Sequence, residues 1–257
     1  MTRNAALATM PPSLDLERYL DRRDFRESIA ALADPLGSNI GLPPRVDEIG
    51  LVCPNVQLAA EHLERRWPGM RTFLLGAGRP RRFADRDEVK PFTTRVGFGF
   101  YRGAILELAE GGMGSDVFTQ DNPEGRILVN HVGFFARGPE LVRRDGPGKV
   151  RWLPRLAEAG HTRRYEAELA KAGIVGHVHI FETAHVTGGV NLEFLDFRLF
   201  GTRGPYFCVP GWGIGAIGWL QKKRFLRRWL ELPGHADLPP APTTPIPEDV
   251  PVPPART

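Results

Sequence analysis

The 257-residue chain has only two cysteines, Cys53 and Cys208. Two thiols cannot build a disulfide framework or a four-cysteine zinc site, so both are expected free, as in a reducing cytoplasm. No apolar run approaches the roughly 18 residues that a spanning helix needs, which argues against an integral membrane protein. Residues 1–12 carry Arg3 as their one cation and no apolar core, so a secretory signal is not expected and the cytoplasm is the expected compartment. Charge of one sign is also scarce. Basic residues number 34 and acidic residues 30, a net charge of +4 that gives no reason to expect nucleic acid as a partner. Walker A, G-x-S-x-G and HExxH motifs are absent. "GWGIGAIG" (211–218) spaces its glycines like a dinucleotide fingerprint but has no strand before it.

What remains is an ordinary globular composition, 42% hydrophobic and 25% charged. Residues 1–45 read as a helical lead-in, with Leu16, Tyr19, Leu20, Phe25, Ile29 and Leu32 in rough helical rhythm. Val46 to Cys53 reads as a strand. Asn55 is the expected N-cap of a helix carrying Leu58, Ala59, His62, Leu63 and Trp67, which Pro68-Gly69 ends. Met70 to Leu75 is a strand candidate, and Gly76 to Pro91 reads as a basic loop. Thr94 to Tyr101 and Ala104 to Ala109 flank Arg102-Gly103, a hairpin signal.

The pattern recurs about 85 residues on, with an apolar run at Ile127 to Ala136, a helix over Arg151 to Ala172 ended by Gly173, and two runs, His177 to Thr183 and Val190 to Phe197, around Gly188-Gly189. "VDEIGLVC" (46–53) lines up with "LVNHVGFFA" (128–136), each with a polar residue two positions before a glycine. "AILELAE" (104–110) lines up with "VNLEFLDF" (190–197), setting Glu107 opposite Glu193. The units are thus a module over 46–125, a second over 126–210, a basic amphipathic helix over 211–232, and a Pro-rich tail over 233–257, with nine prolines, expected to be extended or disordered. The basic helix is expected to pack its Trp/Leu face on protein. Peripheral contact of 216–232 with an acidic membrane is the alternative.

These strand motifs resemble the vicinal oxygen chelate superfamily, which includes glyoxalase I, bleomycin-resistance proteins, methylmalonyl-CoA epimerase and extradiol dioxygenases. The resemblance covers about residues 46–200. It implies an α+β fold of two paired βαβββ modules forming a curved mixed sheet around a pocket. "VNHVGFF" fits the family's first strand with His131, and "VDEIGLV" fits with Glu48 where the family has histidine. "LEL" and "LEF" supply Glu107 and Glu193 on the last strands. His131, Glu107, Glu193 and Glu48 are therefore the candidate metal ligands. In another register the second module's last strand would lie at Gly204 to Val209, without a glutamate, and one ligand would be lost.

The ligand chemistry can be read without the family. A carboxylate facing a buried sheet must be paired, protonated or metal-bound. Three carboxylates and an imidazole suit Mn²⁺, Fe²⁺, Co²⁺, Ni²⁺ or Mg²⁺ at least as well as Zn²⁺. The resemblance implies the activity of an isomerase, epimerase or lyase on a small carbonyl or oxygenated substrate. Its enolate would be held by the metal, with Glu107 or Glu193 as base. The alternatives are extradiol-type cleavage with Fe²⁺ and metal-free sequestration of a small ligand. Phe98, Phe100 and Phe181 are candidate substrate contacts. His177 and His179 are expected at the surface, and Arg79, Arg81, Arg82 and Arg86 either steer an anionic substrate or are solvated. The chain would act as a monomer or homodimer.

Overall fold

The computed structural model describes residues 14–42, 44–78, 80–111, 113–118, 125–135, 152–171, 174–199 and 202–203, with Trp219 and Ile246. The lead-in comprises β1 (Leu14–Asp15) and the helices α1 (Glu17–Leu20), α2 (Phe25–Ala30) and α3 (Asp34–Ile40). Leu16, Leu20, Phe25 and Ile29 are buried in the main core. Two polar contacts pin this segment to the first module: His62 Nε2 lies 2.5 Å from Glu17 Oε1, and Trp67 Nε1 donates to Asp21 Oδ1 at 2.8 Å.

The first module runs β2 (Glu48–Val52), α4 (Val56–Arg66), β3 (Arg71–Gly78), β6 (Thr94–Tyr101) and β7 (Ala104–Ala109), interrupted by the hairpin β4 (Arg82–Asp85) and β5 (Glu88–Val89). Asn55 caps α4 by accepting from the Leu58 N–H at 3.0 Å. Gly69, at φ +99°, turns the chain after Trp67 closes that helix. Arg102 and Gly103, both at positive φ, form the tight β6–β7 turn. The second module runs β8 (Leu128–Phe135), α5 (Trp152–Glu158), β9 (Arg163–Lys171), β10 (Ile174–Phe181) and β11 (Asn191–Leu199), followed by β12 (Thr202–Arg203). The α+β fold of paired βαβββ modules is therefore present.

Two sequence expectations fail here. The helix expected over Arg151 to Ala172 stops at Glu158, where Gly160 (φ +82°) turns the chain, and β9 follows. "RRYEAELAK" has helix-forming composition, but pairing decides. Tyr165 and Ala167 bury on one face, while Glu166 and Glu168 meet Arg82 and Arg81. This strand also supplies the second module with its full strand count, so β11 carries Glu193. The alternative last strand at 204–209 lies outside the described residues. The second failure is the basic loop over 76–91, which contains β4 and β5. Arg86 pairs with Glu182 there, as Arg81 and Arg82 do with their glutamates, so these guanidiniums clamp the hairpin to the second module. Arg79 is outside the described residues.

The described strands form one sheet, in the order β3-β6-β7-β2-β8-β11-β10-β9-β4-β5, with β1 paired to β8 and β12 to β11. The modules join through the antiparallel β2–β8 pair. β3 and β4 lie near opposite ends of this order, yet only residues 79–81 connect them. Such a link spans at most about 14 Å, so the sheet must curl into a deep cup. Its convex face packs against the helices through Ile49, Leu51, Leu106, Leu108, Val132, Phe134, Leu192 and Phe194. A second cluster, including Val52, Phe83, Phe92, Phe118, Tyr165, Val178 and Ile180, fills part of the concave face. Most of 204–257, including the expected basic helix, lies outside the described residues. Within it, Trp219 is exposed, and Ile246 of the Pro-rich tail is buried in the helix-side core. Among the described residues no helix is long and apolar enough to cross a membrane.

Candidate metal centre

The four candidate ligands come from four adjacent strands inside the sheet. Glu48 is on β2, Glu107 on β7, His131 on β8 and Glu193 on β11. The β2–β8 register pairs Glu48 with Gly133 and Gly50 with His131. The flanking parallel pairs set Glu107 beside Gly50 and Glu193 beside Gly133. Cross-strand partners share a face, so all four side chains point into the cup.

The two glycines make this crowding possible. A Cβ on Gly50 would lie 1.9 Å from the His131 Nε2 and Cε1 atoms. One on Gly133 would lie 2.8 Å from Glu48 Cβ and 3.0 Å from Glu193 Oε2. Each first strand thus carries a ligand and, two residues on, the gap into which the other strand's ligand leans. This is the physical content of the repeated polar-x-glycine pattern.

One ligand atom from each of the four residues lies within 4.8 Å of every other. Opposite ligands of an ion with bonds of about 2.1–2.4 Å lie about 4.2–4.8 Å apart, so one ion can bridge the set. His131 Nε2 lies 3.4 Å from Glu107 Oε2 and 3.3 Å from Glu193 Oε2. Nevertheless, His131 Nε2 and Glu193 Oε2 are buried without a hydrogen bond. Close approach without hydrogen bonding is what ligands arranged around a common centre show. The residues therefore fit a divalent cation, with oxygen donors outnumbering the one nitrogen.

The electrostatics agree. Burial pushes the Glu48 carboxyl well above its usual range, and the negative charges of Glu193 and Glu107 add to this. Burial also raises Glu193, against a lowering by His131. For His131, burial opposes the charged ring, but Glu193 and Glu107 prevail and push it up to about 10. Without a cation, this site holds protons in its place.

Asn130, which the sequence reading passed over, orients the imidazole. Its Nδ2 donates to the Val117 carbonyl at 3.3 Å, so its Oδ1 faces His131 Nδ1 at 2.9 Å. That oxygen can only accept, so Nδ1 carries a proton and Nε2 presents its lone pair to the cluster when the ring is neutral. Replacing Asn130 by leucine is expected to weaken metal binding by about 10- to 100-fold, while Asn130→Asp, which keeps the acceptor, retains most of it. Competition with a chromophoric chelator measures both. Equal affinities in the leucine variant and wild type would remove Asn130 from the site.

The aromatic candidates divide. Phe98 pairs with Glu107 across β6–β7, and Phe100 follows on the same face; both are half-buried, and Phe98 stacks on Phe73 at 5.5 Å. Phe181 is not brought to the site. Its neighbour Ile180 faces Glu193, so the period of two turns Phe181 to the helix side, where it packs edge-on against Phe194. His179, expected at the surface, is buried, whereas His177 is partly exposed.

Among solved structures, the chain is similar to methylmalonyl-CoA epimerase from Mycobacterium tuberculosis, with 13% identity and a TM-score of 0.35 over 64% of this chain and 91% of that one. A Streptomyces coelicolor methylmalonyl-CoA epimerase in complex with 2-nitronate-propionyl-CoA gives 14% and 0.37 over 59% and 95%. A mutant of 4-hydroxymandelate synthase from Streptomyces coelicolor gives 13% and 0.35 over 70% of this chain and 55% of that one. No family model and no curated protein matches the chain. Likeness at this level leaves the chain's own topology and site geometry as the grounds for its function.

Proposed function

We propose that the chain is a divalent-metal-dependent enzyme that moves a proton adjacent to a carbonyl group in a small oxygenated substrate, as an isomerase, epimerase or lyase. The supporting observation is the convergence of Glu48, Glu107, His131 and Glu193, with His131 Nε2 and Glu193 Oε2 buried and without a hydrogen bond. These four residues would hold the ion. When bound, a dication there would polarise a carbonyl oxygen and stabilise negative charge developing on it. With three carboxylates the site would keep a net negative charge around a dication, so one carboxylate can serve as a base. Glu107 is the natural one. Its side chain is 16% exposed, against 1% for His131 and 2% for Glu193. It also faces Phe98, on the half-open part of the cup. The Glu107 carboxylate would accept the α-proton, Glu193 would serve as a buried ligand, and Phe98 and Phe100 would give the substrate an apolar wall. An extradiol-type reaction would want a second imidazole where the fold holds Glu48, so no observation favours it.

The test is solvent-deuterium incorporation, followed by mass spectrometry. A panel of hydroxyketones, 2-oxo acids and acyl thioesters is incubated with protein loaded in turn with Mg²⁺, Mn²⁺, Fe²⁺, Co²⁺, Ni²⁺ and Zn²⁺. Exchange at an α-carbon is expected for at least one pairing and falls by about 10²- to 10⁴-fold in Glu107→Gln. A metal-loaded protein that exchanges no member of the panel, or a Gln variant with full activity, would contradict the reading.

A further inference from the structure

Outside the ligand set, Tyr165 faces the same cup. Tyr165 is 7% exposed and lies on β9, on the row that runs through Ile180 to Glu193. Two strand spacings separate the Tyr165 and Glu193 backbones, about 9–10 Å, and the curl of the sheet brings their concave-face side chains closer still. The ring is wedged by Phe83 at 4.9 Å, Phe92 at 5.7 Å and Phe118 at 5.8 Å. Phe118 in turn lies 6.1 Å from the His131 ring. A side chain held on three sides by aromatic rings has little freedom to redirect its oxygen.

The Tyr165 ring is buried, but its hydroxyl oxygen is not among the sealed, unpaired polar atoms of the described residues, so it is open to a ligand in the cup. The hydroxyl is also close enough to the ligand carboxylates to feel them. Burial raises its pKa well above the ordinary value, and Glu107 and Glu193 add to that, so at neutral pH it is a donor that keeps its proton.

We propose that the Tyr165 hydroxyl is a substrate-binding group, donating a hydrogen bond to the oxygen on which negative charge collects. This rests on the reading of the cluster as a metal site for an oxygenated substrate. It divides the work between the modules: Glu107 of the first takes the proton, and Tyr165 of the second steadies the charge left behind. It also explains the aromatic filling of the second half of the cup, which fixes the donor and leaves the Phe98 side for the substrate.

Wild type and Tyr165→Phe are compared in three measurements: metal content, thermal midpoint, and affinity for acetohydroxamate, a small ligand with an ionised oxygen pair, on the Co²⁺-loaded proteins. The variant is expected to keep wild-type metal content and midpoint and to bind acetohydroxamate about 10- to 100-fold more weakly. In wild-type protein labelled with 3-fluorotyrosine, the ¹⁹F resonance absent from the variant is expected to shift on adding acetohydroxamate. Unchanged affinity in a variant that still loads Co²⁺, or an unmoved resonance, would overturn the role of Tyr165 alone. Loss of metal in the variant would overturn it too, by making the tyrosine part of the ligand frame. A wild-type protein that takes up no ion would overturn both this role and the metal reading.

Discussion

Gly50→Ala is expected to abolish metal binding. The added methyl would sit 1.9 Å from two atoms of the His131 ring, so the imidazole must leave its place over the strand. It has nowhere near to go. Nδ1 is tied to Asn130, Phe118 lies beside the ring, and β2 and β8 are central strands buried on both faces. Overpacking of this kind costs about 1–3 kcal/mol of stability, and losing the one nitrogen ligand lowers metal affinity by at least about 100-fold. Gly99→Ala is the control, since its Cβ would meet Leu106 Cβ at an ordinary 3.4 Å. Elemental analysis after dialysis should give metal-free Gly50→Ala beside metal-containing Gly99→Ala. A folded Gly50→Ala that retains the ion would mean that His131 is not a ligand.

Metal uptake is expected to eject at least one proton per ion near neutral pH. In the empty site His131, raised from 6.5 to about 10, carries its charge, and burial holds the Glu48 carboxyl well above its usual range. Coordination requires the neutral ring and the carboxylate. Apparent affinity should therefore climb with pH by about 10-fold per unit or more below about 10. Stability of the metal-free protein runs the other way. Both groups are raised in the folded state, so the folded chain binds more protons than the unfolded one. The His131 contribution is complete below 6.5 and disappears as pH rises through about 10; that of Glu48 begins to fall above 4.5. Calorimetric titration in buffers of different ionisation enthalpy counts the protons, and thermal midpoints with and without EDTA follow the opposed trends. Binding that is independent of pH between 6 and 8 would contradict the account.

The ligand set was legible because each member interrupts an apolar strand at a repeated position. Burying Glu48, Glu107, His131 or Glu193 on such a strand makes little sense without a partner. The glycines were visible too, but their purpose depends on the register that sets Gly50 against His131, and no sequence states that register. Tyr165 was lost with β9, since a run of Glu, Ala and Leu reads as helix until a neighbouring strand claims it. Its alternation, with Tyr165 and Ala167 on one face and glutamates on the other, was the available signal. Phe181 shows the converse limit. An aromatic near the site in sequence is turned away by one step of strand period.

The central claim is that one divalent cation sits among Glu48, Glu107, His131 and Glu193. Elemental analysis of tag-free protein, wild type beside His131→Ala, tests it most directly. Near-stoichiometric Mn, Fe, Co, Ni, Zn or Mg in wild type, lost in the variant, is the predicted result. A wild-type protein that is metal-free and takes up none of these ions when they are supplied at neutral pH would contradict it.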